Sequence, residues 1–214
     1  MTRLITIIST ILILSTLAVK VSAAGNATEI ITAVGKSMAP DSRQIVYEVT
    51  GATADNGKIV VKGLISEATV ADSLRKALAE AGIEYVDSLT VAGTDLWATP
   101  LISVACLRTR PSHAGEMASQ AIMGMPLRVI EKRDGWTRVQ TPDGYIAWVT
   151  NASIVSRTAR EMAQWRHMPR SVVTAVYQTR AYNTPTASGL RDVVTDFVNG
   201  NIVCPTGRTE SGRT

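Results

Sequence analysis

At 214 residues, with a formal net charge of +4 and 45% hydrophobic residues, the chain has room for one or two ordinary domains or three small ones, and enough apolar side chains to build their cores. Basic and acidic residues are interspersed apart from an Arg-leaning tail, which argues against a nucleic-acid partner, since phosphate binding needs a basic stripe. Phenylalanine occurs once, so Trp97, Trp136, Trp148, Trp165 and the tyrosines are expected to supply most of the large buried surface.

The chain opens on Met1-Thr2-Arg3, followed by an apolar run from Leu4 to Val19 and then Val21-Ser22-Ala23. A short basic start, an apolar stretch and a small-x-small ending read as a secretory signal peptide over residues 1–23, cleaved after Ala23. The competing reading is a membrane anchor, but the run is shorter than the ~20 residues of a spanning helix, and Lys20 interrupts it. No stable anchor is expected after cleavage, and the mature protein is placed in the periplasm or outside the cell. Losing Arg3 and Lys20 leaves 20 basic against 18 acidic residues, a formal +2.

Residues 24–95 read as an α+β module. Asn26–Met38 carries Ile30, Ile31, Val34 and Met38 at helical spacing and is stopped by Pro40. Two strands, Arg43–Val49 and Lys58–Ile65, are expected around an Asn56-Gly57 turn. Ser66 is expected to cap a helix with an apolar side of Val70, Leu74, Ala77, Leu78 and Ala81, ending at Gly82, and a last strand runs from Glu84 to Val91. This order resembles a BON-like module, and Thr94–Pro100 is expected to link it to the β-rich segment after it.

From Leu101 to Asn151, short β-rich runs are separated by Pro111-Ser112, Gly124-Met125-Pro126, Asp134-Gly135 and Pro142-Asp143-Gly144. These are turn signals, because Gly accepts positive φ and Pro presets the turn, and strands in such tight succession predict a small barrel over residues 96–151. The sequence Ser119-Gln120-Ala121-Ile122-Met123-Gly124, then Gly135-Trp136, then Gly144-Tyr145-Ile146-Ala147-Trp148-Val149 resembles the bacterial SH3 (SH3b) domain. More narrowly, it is similar to the first SH3b domain of secreted NlpC/P60 cell-wall peptidases of the γ-D-glutamyl-diamino acid endopeptidase type. Cys106 departs from that pattern, where the family shows Asn before Leu-Arg.

Residues 152–170 read as a helical linker, with Thr158 and Glu161 forming a capping box ahead of Met162 and Trp165. From Val172 the barrel pattern begins again. Val172–Tyr177, Asn183-Thr184-Pro185, the loop Thr186–Gly189, Asp192-Val193-Val194 and Phe197–Val203 repeat the first half of the barrel, resembling a partial second SH3b domain over 171–203. Residues 204–214 have no apolar residue after Cys204 and Pro205 and are expected to form a disordered tail. The incomplete barrel would expose strand edges open to pairing with another chain.

The resemblance implies a papain-like catalytic domain whose nucleophile sits in Asp-Cys-Ser-Gly; neither Val104-Ala105-Cys106-Leu107 nor Val203-Cys204-Pro205 matches it. Cys106 is expected to be a small buried side chain in a strand, with a Cys106–Cys204 bridge as the alternative. His113 is expected in a solvated loop and His167 at the end of the linker helix, where it suits the helix dipole. Two Cys and two His without paired spacing predict no metal site, and no cofactor motif is present. Function is therefore expected to be non-catalytic binding of peptidoglycan or murein peptide, the alternative being a truncated cysteine peptidase that hydrolyses γ-D-Glu–diamino acid bonds. The resemblance also implies a ligand site in which Glu116 holds a free amine and Tyr145 supplies an acceptor and a wall.

Overall fold

The computed structural model describes residues 25–174, 177–184 and 189–205. The expected signal peptide, residues 175–176 of the expected strand Val172–Tyr177, residues 185–188 of the small-residue loop, and residues 206–214 of the expected tail lie outside the described residues. The chain divides into two units, Met1–Ala92 and Gly93–Thr214. Among the described residues no helix is long and apolar enough to cross a membrane.

In the first unit, helix α1 spans residues 25–38, followed by β1 (Tyr47–Thr53), β2 (Ile59–Ile65), α2 (Ala68–Glu80) and β3 (Tyr85–Val91). The sheet order is β1-β2-β3, with β1 antiparallel and β3 parallel to β2, so α2 is the crossover that parallel strands require. Buried Ala27 and Ile31 from α1 and Val70, Ala71, Leu74 and Leu78 from α2 close over Ile59, Val61 and Ile65 in one core. Each large side chain so buried contributes about 1.5–3 kcal/mol.

Two local expectations shift. The first strand starts at Tyr47 and not at Arg43, because the Asp41 carbonyl accepts from the Gln44 and Ile45 amides and its carboxylate from Arg43, closing a turn there. That salt bridge holds the Asp41 carboxyl at about 2. Ser66 does not cap α2. Its fully buried hydroxyl accepts from the Val46 amide at 3.0 Å while its own amide donates to the Val46 carbonyl, pinning the entry of β1 beside the end of β2. The N-cap position is Glu67, whose side chain makes no capping bond to the helix. At the other end Gly82 and Ile83 donate to Ala79 and Leu78, the double bond pattern of a Schellman ending. Within β2, Gly63 has φ 141°, and a Cβ there would lie 1.9 Å from the Glu48 carbonyl oxygen, so the close approach of β1 admits only glycine.

The second unit holds β4 (Leu96–Pro100), β5 (Val104–Arg108), β6 (Met117–Ile122), β7 (Leu127–Arg133), β8 (Trp136–Gln140), β9 (Ile146–Thr150), β10 (Ile154–Thr158), α3 (Ala159–His167), β11 (Ser171–Val172), β12 (Gln178–Tyr182), β13 (Val193–Val198) and β14 (Ile202–Val203). The first seven strands form one sheet in the order β10-β4-β7-β8-β9-β5-β6, antiparallel throughout. The expected barrel does not close, since among the described residues no ladder joins β6 to β10. Residues expected as linkers on either side belong to the sheet: Leu96–Pro100 is β4, and Ile154–Thr158 is β10, its partner.

Alternation fixes which side chains meet inside. Ala98, Ala105, Leu107, Ala121, Leu127, Val129, Val139, Ala147, Val149 and Ile154 form an aliphatic core. The four tryptophans stand outside that cluster, although Trp136 and Trp148 are themselves buried. Cys106, expected inside, is exposed, because Ala105 and Leu107 on either side take the inward positions. The capping box forms as expected, with Thr158 and Glu161 exchanging bonds, and these bonds draw the Glu161 carboxyl below its ordinary value.

Two ladders of this unit share a register pattern. β5 and β6 pair through Val104↔Ile122 to Leu107↔Ser119, then skip Ala118 to Arg108↔Met117; β12 and β13 pair through Gln178↔Val198 to Ala181↔Thr195, then skip Val194 to Tyr182↔Val193. Met123-Gly124 after β6 has its counterpart in Asn199-Gly200 after β13, with φ 80° and 90° at the two glycines. Ala98↔Leu127 between β4 and β7 corresponds to Ser171↔Val203 between β11 and β14. Phe197 is thus in the same strand as Val193, not in a separate one, and the break comes at Asn199-Gly200.

Burial pushes the Tyr47 hydroxyl, which donates to the Ile31 carbonyl at 2.9 Å, up to about 12. A folded-state value above the unfolded one gives stability that is present below pH about 10 and lost as pH rises through about 12. Alkaline denaturation followed by circular dichroism is expected to show the first unit weakening across that window. Tyr47→Phe is expected to flatten this dependence and to lower stability at pH 7 by about 0.5–1.5 kcal/mol through the lost bond.

Candidate functional site

The loop from Thr109 to Glu116 joins β5 to β6 and folds back over the outer face of the sheet. Its hold on that face is Arg108, which donates to the Gly115 carbonyl at 2.6 Å, helped by Arg110, which donates to Ala114. The loop closes with the Thr109 amide donating to the Glu116 carbonyl. His113 is carried back onto Trp136, ring centroids 5.1 Å apart and edge to face.

Beneath it lies a row set by the ladders. Glu131 on β7 faces Arg138 on β8, Arg138 faces Trp148 on β9, and Trp148 faces Arg108 on β5. Glu131 reaches this outer face only because the ladder skips Ile130, since two-residue alternation from Val129, which faces inward, would turn Glu131 inward as well. Its carboxylate bonds Arg133 at 3.0 Å and Arg138 at 3.1 Å. Both guanidiniums lie over the Trp148 ring, at 5.2 and 5.6 Å from its centroid. The result is an aromatic and arginine layer, tied together by Glu131, that holds the platform under the loop.

The two residues expected to bind ligand lie at the edge of this platform. Arg108 pairs with both Met117 and Trp148, so Glu116, one residue before Met117, and Tyr145, three before Trp148, fall at the same end of the sheet on either side of β5. Glu116 is exposed. Tyr145 is half-buried, packs against the aliphatic core, and is positioned by Thr141, whose amide donates to the Tyr145 carbonyl and whose Oγ1 accepts from the Tyr145 amide. The Thr141 bonds hold Tyr145 from its own turn, and the loop holds Glu116, so the two stand as separate contacts and not as a preformed pair.

A second place, invisible in the sequence, lies where the repeat meets the sheet. The fully buried Asn201 side chain donates to the Ser103 carbonyl at 2.9 Å and accepts from the Val198 amide. The Ser103 hydroxyl donates to Asp196 at 2.9 Å, which draws that carboxyl below its ordinary value, and the Ile202 amide donates to the Met123 carbonyl. Gly124 is required here, because at φ 80° a Cβ would lie 2.5 Å from the Ile202 carbonyl oxygen. Trp165 from α3 donates to the Gly124 carbonyl, and Arg157 stacks on its ring.

Cys106 and Cys204 are both free, which leaves the alternative of a bridge between them unmade. His167 sits in the last turn of α3, as expected. Among the described residues no three His, Cys, Asp or Glu side chains gather as a metal ion would require.

In a comparison with known families, the model described as the bacterial dipeptidyl-peptidase Sh3 domain matches residues 107–154. This segment, from the end of β5 to the start of β10, is therefore a bacterial SH3 domain of the dipeptidyl-peptidase type. No curated protein matches the chain.

Glu131→Gln is expected to lower stability by about 1–3 kcal/mol, since it leaves the nearly buried Arg138 guanidinium short of its charged partner. Arg133→Gln, half in solvent, is expected to cost no more than about 1 kcal/mol. Urea titration of the two variants checks the difference.

Proposed function

We propose that this chain is an exported, non-catalytic module that binds peptidoglycan through its murein peptides, related to the NlpC/P60 endopeptidases. The observation that carries the reading is the placement of an exposed carboxylate, Glu116, and a fixed phenol, Tyr145, at one end of an SH3 domain of a type associated with peptidases. A free N-terminal ammonium of a murein peptide gains an ion pair from Glu116 and an acceptor and wall from Tyr145. One such exposed ion pair contributes only about 0–1 kcal/mol, so affinity at this end is millimolar. Targeting at a wall polymer that repeats its peptide many times makes such weak contacts useful. Export follows from the signal-like residues 1–23, and N-terminal sequencing of the secreted protein is expected to begin at Ala24.

Titration with L-Ala-γ-D-Glu, followed by amide NMR shifts, is expected to move resonances around Glu116 and Tyr145 at millimolar ligand, and Glu116→Gln is expected to remove the effect. Submillimolar binding that survives Glu116→Gln would place the site elsewhere. The second reading, a cysteine peptidase that hydrolyses γ-D-Glu–diamino acid bonds, separates cleanly. Incubation with L-Ala-γ-D-Glu-diaminopimelate is expected to release no L-Ala-D-Glu, whereas release abolished by Cys106→Ser or Cys204→Ser would make this chain an enzyme.

A further inference from the structure

In the first unit β1 is an edge strand, and the bonds on its paired side define what its other side presents. The Ser66 amide donates to the Val46 carbonyl and the Ala54 amide to the Lys58 carbonyl, and between these ends the register with β2 runs unbroken from Tyr47↔Ile65 to Thr53↔Ile59. Pairs in an antiparallel ladder alternate between those that exchange bonds and those that do not, so Glu48, Thr50 and Ala52 bond to β2. The amides and carbonyls of Tyr47, Val49 and Gly51 therefore point away from it, and among the described residues no strand pairs with β1 on that side.

These same residues face α1. The Tyr47 ring lies on Gly35, where an added Cβ would be 2.7 Å from it, and Gly51 lies beside Ile31, where one would be 2.8 Å from Cδ1. α1 thus runs antiparallel to β1, and between them lies a groove of about 530 Å³, with Ile31, Gly35 and Lys36 on one side and Ile45, Tyr47 and Val49 on the other. A strand added at this edge bonds to the main chain of Tyr47 and Val49 and sets every second side chain between them and α1. A helix laid in the groove would leave those amides and carbonyls unpaired.

Charge selects the direction of that strand. Exposed Lys36 and Ser42 line the groove at its Tyr47 end; among the described residues Lys36 has no acidic partner, while Asp41, next to Ser42, is held by Arg43. An ammonium and a hydroxyl at this end favour a carboxylate, and a strand antiparallel to β1 brings its C-terminus there. We propose that the groove binds the free C-terminal end of a partner polypeptide as a strand antiparallel to β1, with its carboxylate at Lys36. The last residue, set against Tyr47, and the one two before it, set against Val49, are apolar. The proposal uses neither Glu116 nor Tyr145, and its failure leaves the murein-peptide reading standing.

The test is a titration of the full chain into the probe fluorescein-Gly-Ser-Lys-Thr-Val-Thr-Val with a free C-terminus, read by anisotropy and by amide NMR shifts. Saturable binding is expected, with Kd on the order of 10–100 µM and shifts concentrated on Tyr47, Val49 and Gly51. The C-terminally amidated probe is expected to bind about two- to fivefold more weakly, and Lys36→Glu, at an exposed position that leaves the fold intact, to weaken the acid about fivefold or more. N-methylation of the valine set against Val49 is expected to weaken binding at least tenfold, and of the threonine between the two valines, whose amide faces away from β1, less than threefold. The proposal is overturned if the probe does not saturate, if the amidated probe binds as tightly, if the two N-methylated probes weaken alike, or if the shifts miss β1. It is also overturned if the chain forms a concentration-dependent dimer that excludes the probe, or if the probe binds only once residues 1–23 are removed, since the occupant would then be a second copy or the chain's own N-terminal segment.

Discussion

The buried Asn201 side chain decides how the C-terminal repeat exists at all. Among the described residues its strands form two short two-stranded ladders, and an isolated hairpin is at best marginal in water. Asn201 changes this by bonding the turn before β14 to the Ser103 carbonyl, while Asp196 takes the Ser103 hydroxyl and Ile202 extends the backbone bonding to Met123. A buried amide is costly unless paired, so these bonds specify one docking position and penalise the others. Gly124 and Gly200, the matching turn glycines of the two copies, lie at that contact, with Gly124 against Ile202 and Gly200 against Ile122.

The same logic of satisfied polar layers on an aliphatic core runs through the SH3 domain. Its interior is built from small and branched side chains, and the aromatic rings serve the outer face. There the skipped residue Ile130 turns Glu131 toward two arginines, and these rest on Trp148, so that a loop anchored by Arg108 has a firm surface to fold onto. Glu116 and Tyr145 inherit their placement from that loop and from the Thr141 turn.

Local chemistry is legible in the sequence wherever it acts over a few residues. Asp134-Gly135 forms the β7–β8 turn with φ of 44° and 82°, the two positive values that a two-residue hairpin turn needs. The Thr158–Glu161 box and the Gly82 ending are legible for the same reason. What escapes is set by partners far along the chain or by ladder irregularities. Ser66 looks like a cap because nothing beside it announces Val46, and Ser103 and Asn201 are 98 positions apart. The skipped Ile130, Ala118 and Val194 reverse the inside–outside pattern after them, so strict alternation misplaces the residues beyond. Cys106 is within reach, since the alternation of Ala105 and Leu107 already turns it outward. Tryptophan content suggests an aromatic core, but size alone does not tell a central ring from one laid on an outer face.

Native-state hydrogen exchange of the chain beside its Asn201→Ala variant tests most directly whether one buried amide holds the repeat to the sheet. The account predicts that amides of Val193–Val198 and Ile202–Val203 are protected in the parent chain, and that the substitution strips this protection while leaving Leu127–Thr150 unchanged. Equal protection of β13 and β14 in both proteins, or none in the parent, would contradict it.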